Sequence, residues 1–352
     1  MASPNNLYLV IMAGGSGTRF WPKSTSRKPK QLLGFSAQDQ GNTLLVQTLG
    51  RFSGIVPDQQ RIIVTTRGLK DAVGAQASGA AVLAEPQGRN TAPCVYWAAR
   101  EVARRDPRGV MLVMPSDHYM KDLARFQASV LEAAKWAAEH DDLVTLGVAP
   151  NRPETGYGYL KTGQTLAGGA KRVDAFVEKP NLEKAREFLK AGNYLWNGGM
   201  FLWRADVILA AFDQLMPEMR REWEAAGERV EEAYPKLTAT SIDYGVMEKA
   251  KNVVTFTLDC GWDDLGSWTS LENLADTLGA RSAGGVVTGG QLLAVESEGN
   301  IVDAPGKLVA LLGVNDLIVV EAGGAILVAH KERAQDIRLV VEQVKKLRPE
   351  LA

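Results

Sequence analysis

Six consecutive apolar residues, Leu7-Tyr-Leu-Val-Ile-Met12, run straight into Ala13-Gly-Gly-Ser-Gly17. A short run rich in β-formers reads as a buried strand. The three glycines that follow permit positive φ and let the backbone approach a ligand closely. The same rhythm recurs downstream. Arg61–Thr66, Ala80–Glu85, Val110–Met114 and Leu143–Leu146 read as short buried strands, with helical patterns at Thr43–Arg51, Thr91–Arg105 and Leu123–Glu139 between them. This alternation predicts an α/β fold, a Rossmann-like and mostly parallel sheet flanked by helices. Ligands in such sheets sit at the carboxyl ends of strands. Three sets of polar residues fall there: Gly14–Arg19, Glu85–Asn90 and Ser116-Asp117-His118.

Charge singles out the first of these ends. Between Met1 and Gln38 there are five cations (Arg19, Lys23, Arg27, Lys28, Lys30) and no acid, although the whole chain carries a formal charge of −1. A glycine-rich backbone with fixed cations behind it suits a polyphosphate. It is not a P-loop, because Gly306-Lys307 is followed by Leu308. Nor is it a dinucleotide fingerprint, because Phe20 stands where the third glycine belongs. A transit peptide would be an amphipathic Ser- and Arg-rich helix, and a signal peptide would need a basic n-region and an apolar h-region. With a sequence pI near 6.4 and the basic cluster confined to one loop, no nucleic-acid partner is expected. No apolar stretch approaches the ~20 residues of a membrane span. Cys94 and Cys260 lack metal-ligand spacing and read as buried thiols, and His118, His140 and His330 are scattered. The expected location is the cytoplasm.

At 352 residues the chain has room for one large domain and a smaller one. The section from about 150 to 265 mixes strands (Tyr157–Lys161, Arg172–Val177, Val253–Leu258) with helices (Leu182–Ala191, Ala205–Asp213, Ser241–Lys249). It is expected to extend the sheet and cover a second ligand. From about 283 glycines, turns and short Val/Ile/Leu runs dominate, ending in a helix near Ala334–Leu347. The expected division is a catalytic domain, 1–282, and a small β-helix-like tail, 283–352.

Eight strings stand in order along the chain: Gly14-Gly-Ser-Gly-Thr-Arg-Phe-Trp-Pro22 with Pro29-Lys-Gln31, Glu85-Pro-Gln-Gly-Arg-Asn-Thr-Ala-Pro93, Pro115-Ser-Asp-His118, Glu154-Thr-Gly-Tyr-Gly-Tyr159, Phe176-Val-Glu-Lys-Pro180, Trp196-Asn-Gly-Gly-Met-Phe201, Ser241-Ile-Asp-Tyr-Gly-Val-Met-Glu248 and Gly261-Trp-Asp-Asp-Leu-Gly-Ser-Trp268. Together they resemble the mannose-1-phosphate guanylyltransferases (GDP-mannose pyrophosphorylases) of the sugar nucleotidylyltransferase superfamily. The resemblance implies the nucleotide-diphospho-sugar transferase fold. It also implies a reaction in which a sugar 1-phosphate oxygen attacks the α-phosphorus of GTP in line, with Mg²⁺, and pyrophosphate leaves. Such transfers depend on positioning and on neutralising negative charge.

Within that resemblance, Arg19 and Lys30 match the β- and γ-phosphates and Lys179 the attacking sugar phosphate. The backbone of Gly14, Gly15, Gly17 and Thr18 would hold the triphosphate, with Glu85, Arg89 and Asn90 beside the base. Guanine presents two adjacent donors that one carboxylate can accept, so Glu85 argues for GTP. Gly156, Glu178, Asn197 and Gly198 match hexose contacts, and mannose over glucose comes from the resemblance alone. Asp117 and Asp264 are the expected Mg²⁺ ligands, with Asp264 preferred over Asp263 by the Asp-x-Gly pattern. His118 is assigned no role as a base, since the nucleophile is already anionic. Longer relatives append an isomerase domain, and isomerase activity is not expected here. The tail departs from the family at Gly323-Gly324-Ala325, so a homodimer through it rests on resemblance. Two alternatives stay open: transfer to another hexose 1-phosphate, and a non-catalytic GDP-mannose-binding regulator.

Overall fold

The computed structural model describes residues 6–15, 17–35, 42–77 and 79–352; Ser16 of the glycine loop lies outside them. The chain forms two compact units that alternate along the sequence. One comprises Met1–Gly14, Arg51–Pro115 and Asp122–Trp262; the other comprises Gly15–Gly50, Ser116–Lys121 and Asp263–Ala352.

The strands in chain order are β1 (Leu7–Met12), β2 (Arg61–Thr66), β3 (Ala81–Glu85), β4 (Val110–Pro115), the short β5 (Tyr119–Met120), β6 (Leu143–Val148), β7 (Tyr159–Thr165), β8 (Lys171–Val177), β9 (Tyr194–Arg204), β10 (Val253–Leu258), the short β11 (Trp262–Asp263), β12 (Arg281–Ser282), β13 (Gly285–Val295), β14 (Asn300–Leu312), β15 (Leu317–Ala322) and β16 (Ala325–His330).

The first unit is built on a nine-stranded sheet in the order β3-β2-β1-β4-β9-β6-β10-β8-β7. Parallel ladders join β3, β2, β1 and β4, and another joins β6 to β10. β9 runs antiparallel to β4, β6 and β7, and β8 antiparallel to β10 and β7. Only β8 and β9 therefore oppose the common direction, and the sheet is mixed but mostly parallel. The apolar strands predict this burial: Leu9, Val10, Ile11, Ile62, Val64 and Leu112 expose essentially nothing. Val10, Ile62 and Val113 share a core cluster with Val95, Ala99 and Val102 of the helix Thr91–Arg105. That amphipathic pattern is what ties the helix to the sheet.

Two elements differ from expectation. β9, which is not among the expected strands, contains Trp196-Asn-Gly-Gly and runs through the middle of the sheet with a register irregularity opposite Thr145–Gly147. A Cβ on Gly198 would lie 2.7 Å from the Leu146 carbonyl, so only glycine lets the two backbones pack there. The helix expected over Ser241–Lys249 is instead a single π-turn, Asp243–Met247.

The second unit holds a five-stranded sheet, β12-β13-β14-β15-β16. β13, β14 and β15 are parallel neighbours, and β16 returns antiparallel on β15. Val286, Ile301, Ile318, Val320 and Leu327 of this sheet pack into one cluster with Phe20, Trp21, Leu33, Leu265 and Trp268. By contacts, residues 263–352 group with 15–50 and 116–121. The apolar face of the tail is covered by residues from the start of the chain, a long-range pairing that no local pattern announces.

Candidate active site

Within the first unit, polar residues gather at two places. At the end of β3, Glu85 is buried, with 4% exposure, and accepts a hydrogen bond from the Tyr234 hydroxyl. Burial pushes the Glu85 carboxyl up to about 7, against the opposing effect of that hydrogen bond. Gly14 borders it: a Cβ there would come within 3.1 Å of Glu85 Oε2. Arg89 donates to the carbonyls of Leu237 (3.1 Å) and Pro235, which ties the loop after β3 to the segment carrying Tyr234. Asn90, at a φ of 64°, caps the helix Thr91–Arg105 by accepting from Thr91 N at 2.8 Å. Both residues thus have a structural role where they stand, and Glu85 is the group with an acceptor to offer.

The second place lies around β8 and β9. Lys179, at a φ of 48°, pairs with Glu178. Burial would lower the Lys179 ammonium, but the Glu178 hydrogen bond and charge, with Asp243, leave it raised. Asn197 accepts from Thr145 Oγ1 at 3.0 Å and donates to Asp243 Oδ1 at 2.9 Å. Burial and the Glu178 charge push Asp243 up to about 6. A Cβ on Gly158 would lie 2.5 Å from Glu178 Oε2, and the Gly156 amide donates to Glu154 Oε1 at 3.0 Å. Gly198 lies next to Asn197 in this group, with the Leu146 carbonyl occupying the space a Cβ on it would need. Asp243 is the member that sequence reasoning missed, although it sits inside one of the eight strings.

The second unit holds a cleft of about 340 Å³ lined by Gly17, Thr18, Arg19, Lys30, Asp117, His118, Asp264, Gly266 and Arg338, with Phe20 at its wall. Gly17 has a φ of 58°, and a Cβ on it would lie 2.4 Å from Lys30 Cβ, so glycine alone lets Lys30 approach the loop. The Gln31 amide donates to the Gly15 carbonyl at 3.1 Å, securing the loop from behind. Lys30 is buried; its Nζ sits 2.9 Å from Asp117 Oδ2 and donates to the Asp264 carbonyl at 2.7 Å. Burial alone would raise the Asp117 carboxyl, but the Lys30 ammonium and His118 hold it below its ordinary value. Asp264 Oδ1 accepts from Gly266 N at 2.9 Å, and Arg19 donates to the Gly266 carbonyl at 3.2 Å. Asp263 turns away to accept from Leu265 N (2.8 Å) and Asn273 Nδ2 (3.1 Å), which leaves Asp264 as the carboxylate on the cleft.

A mostly parallel sheet whose first strand opens into a glycine loop, with cations and paired aspartates in one cleft, is the frame of a nucleotide-handling transferase. The family model described as nucleotidyl transferase matches residues 8–280, and one described as MannoseP isomerase/GMP-like beta-helix domain matches 290–344. The chain is 38% identical over 365 residues to the mannose-1-phosphate guanylyltransferase of Escherichia coli (strain K12), covering 97% of this chain and 74% of that protein. It is 38% identical over 350 residues to the xanthan biosynthesis protein XanB of Xanthomonas campestris pv. campestris, covering 96% and 73%. A crystal structure from Thermus thermophilus, described as a mannose-1-phosphate geranyltransferase, superposes with a TM-score of 0.88 at 35% identity, covering 97% of this chain and 99% of that one. The chain belongs to the nucleotidyl transferase family and, within it, to the mannose-1-phosphate guanylyltransferases.

Proposed function

We propose that this protein transfers GMP from GTP to α-D-mannose 1-phosphate, giving GDP-mannose and pyrophosphate. The observation that carries the reading is the cleft of the second unit, where Lys30 and Arg19 stand beside Asp117 and Asp264. An oxygen of the sugar phosphate forms a bond to the α-phosphorus as the bond to the β-phosphate oxygen breaks, and pyrophosphate departs with that electron pair. Arg19 and Lys30 neutralise the β- and γ-phosphates, Arg as a fork and Lys as a point charge. The backbone of Gly14, Gly15, Gly17 and Thr18 holds the triphosphate. Lys179 holds the attacking phosphate, and Glu178, Asn197 and Gly156 bind hexose hydroxyls. Glu85 accepts the N1 and N2 hydrogens of guanine.

Two aspartates on one cleft fit a hard divalent cation that takes its remaining ligands from water and phosphate. Among the described residues there is no cluster of three or more His, Cys, Asp or Glu side chains that could hold a metal by themselves. Asp117 and Asp264 would hold Mg²⁺, which when bound supplies Lewis acidity and charge neutralisation.

No helix among the described residues is long and apolar enough to cross a membrane. The buried thiols of Cys94 and Cys260 fit a reducing, cytoplasmic setting. Leu293, Leu308, Leu312, Ile326 and Val328 are exposed on the tail sheet and support self-association as a homodimer.

The test is pyrophosphate release with Mg²⁺, comparing GTP, UTP, dTTP and ATP with mannose 1-phosphate and glucose 1-phosphate. Turnover confined to GTP with mannose 1-phosphate, and abolished by Asp264→Asn, is expected. Equal turnover with another pair would move the specificity. Tight GDP-mannose binding without turnover would make the protein a regulator.

A further inference from the structure

The cleft of the second unit contains one cation that the reading above leaves unused. Arg338 lines it from the helix Ile337–Leu347 of the tail. Lys30 is held by Asp117 and the Asp264 carbonyl, and Arg19 by the Gly266 carbonyl. The Arg338 guanidinium has no hydrogen bond or ion pair with any described residue. Asp336, the nearest acid in sequence, is taken by Arg333 at 2.5 Å.

Helix stability does not account for an arginine at this position. Residue 338 lies in the first turn, where the helix dipole disfavours a cation, and that turn contains no acid. The helix is nevertheless firmly placed. Ile337 and Val341 are buried in the cluster that includes Phe20 and Trp21. Beyond the helix, the Leu351 carbonyl accepts from Trp21 Nε1 at 2.7 Å, and the Ala352 carbonyl accepts from Ser26 Oγ at 2.9 Å. The tail is thus fastened to the segment that carries Arg19 and Lys30, and the exposed Arg338, whose guanidinium offers five donors, lines the same cleft.

We propose that Arg338 binds the terminal phosphates of the triphosphate, and hence the departing pyrophosphate, so that the tail contributes a substrate-contacting residue to the active site. This rests on the reading of the cleft as the triphosphate site. A third cation there fits the charge: Arg19, Lys30 and Arg338 face two aspartates, an excess that the fold itself does not need and a pyrophosphate group offsets.

The experiment uses the full-length chain as wild type, Arg338→Ala, Arg338→Lys and Arg333→Ala, the last altering a tail arginine that does not line the cleft. KM for GTP is measured in the forward direction and KM for pyrophosphate in the reverse direction, with KM for mannose 1-phosphate and the thermal midpoint alongside. Losing a charge-assisted hydrogen bond predicts a rise of about tenfold or more in both phosphate-dependent KM values for Arg338→Ala. The lysine variant should recover part of this loss, and KM for mannose 1-phosphate and the midpoint should not move. Arg333→Ala should match wild type. Phosphate-dependent KM values within twofold of wild type in Arg338→Ala would overturn the proposal. An equal rise in Arg333→Ala would also overturn it, by making the effect one of tail packing. A wild-type protein that neither releases nor binds pyrophosphate would instead overturn the underlying reading of the cleft, and the proposal with it.

Discussion

Glu85 combines burial with a proposed role that requires charge. Its carboxyl is pushed up to about 7 from an ordinary 4.5, so ionisation opposes folding. The ligand-free protein should therefore lose stability as pH rises from about 4.5 to about 7, and Asp243, raised to about 6, adds to the same trend. In the proposed reading guanine reverses the preference, because its two donors favour the carboxylate. KM for GTP should then fall by about tenfold between pH 6 and pH 8 as Glu85 ionises, and this dependence should vanish in Glu85→Gln. A flat profile in wild type would remove Glu85 from base recognition. The placement of such residues was legible: Glu85 stands buried at a strand end, and Asp264, which the family's Asp-x-Gly pattern selects, lines the cleft. Asp243 was not, because its importance lies in a hydrogen bond to Asn197, 46 positions earlier in the chain. Nor could sequence show that Arg89 bonds the carbonyls of Pro235 and Leu237, since that role depends on where the chain returns, whereas the Asn90 cap is local, to Thr91 N.

Elements were legible where one period dominated. β1, β2, β4 and the helices Thr91–Arg105, Leu123–Glu139 and Leu182–Ala191 have strong patterns or caps, and they stand within a residue of expectation. β9 was concealed because glycine, which usually breaks a strand, is here required by the approach of the Leu146 carbonyl. Caps give a test at this scale. Asn181 opens the helix Leu182–Ala191 by accepting from Lys184 N at 2.9 Å, directly after the Lys179-Pro180 turn. Asn181→Ala should cost about 1 kcal/mol of stability. By loosening the turn that presents Lys179 it should also raise KM for mannose 1-phosphate and leave KM for GTP unchanged. Chemical denaturation and steady-state kinetics on the same preparation check both halves.

For the whole molecule, the α/β class followed from the alternation of strands and helices, while the grouping of the tail by contacts with earlier segments is a long-range property that no local pattern carries. Composition shifts near residue 283, whereas contacts place Gly15–Gly50, Ser116–Lys121 and Asp263–Ala352 together. The reason is one shared core. Phe20 lies 5.1 Å from Trp268, and both belong to the cluster that buries Ile301, Ile318 and Ile337. A chain truncated to residues 1–282 should therefore leave Phe20, Trp21 and Trp268 without a cover. It should bind a hydrophobic dye strongly and be cleaved rapidly by protease within residues 15–50, while a stable, dye-silent 1–282 fragment would contradict the shared core.

The interleaving of the two units also bears on how such a protein can be recombined. A gene exchange at the compositional seam would mate the tail of one homologue with the aromatic partners of another, and both halves of one hydrophobic jigsaw would then come from different parents. Viable hybrids should be those that inherit residues 15–50 and 263–352 from the same parent, so lineages with shuffled tails are expected to carry matched changes at Phe20, Trp21 and Trp268.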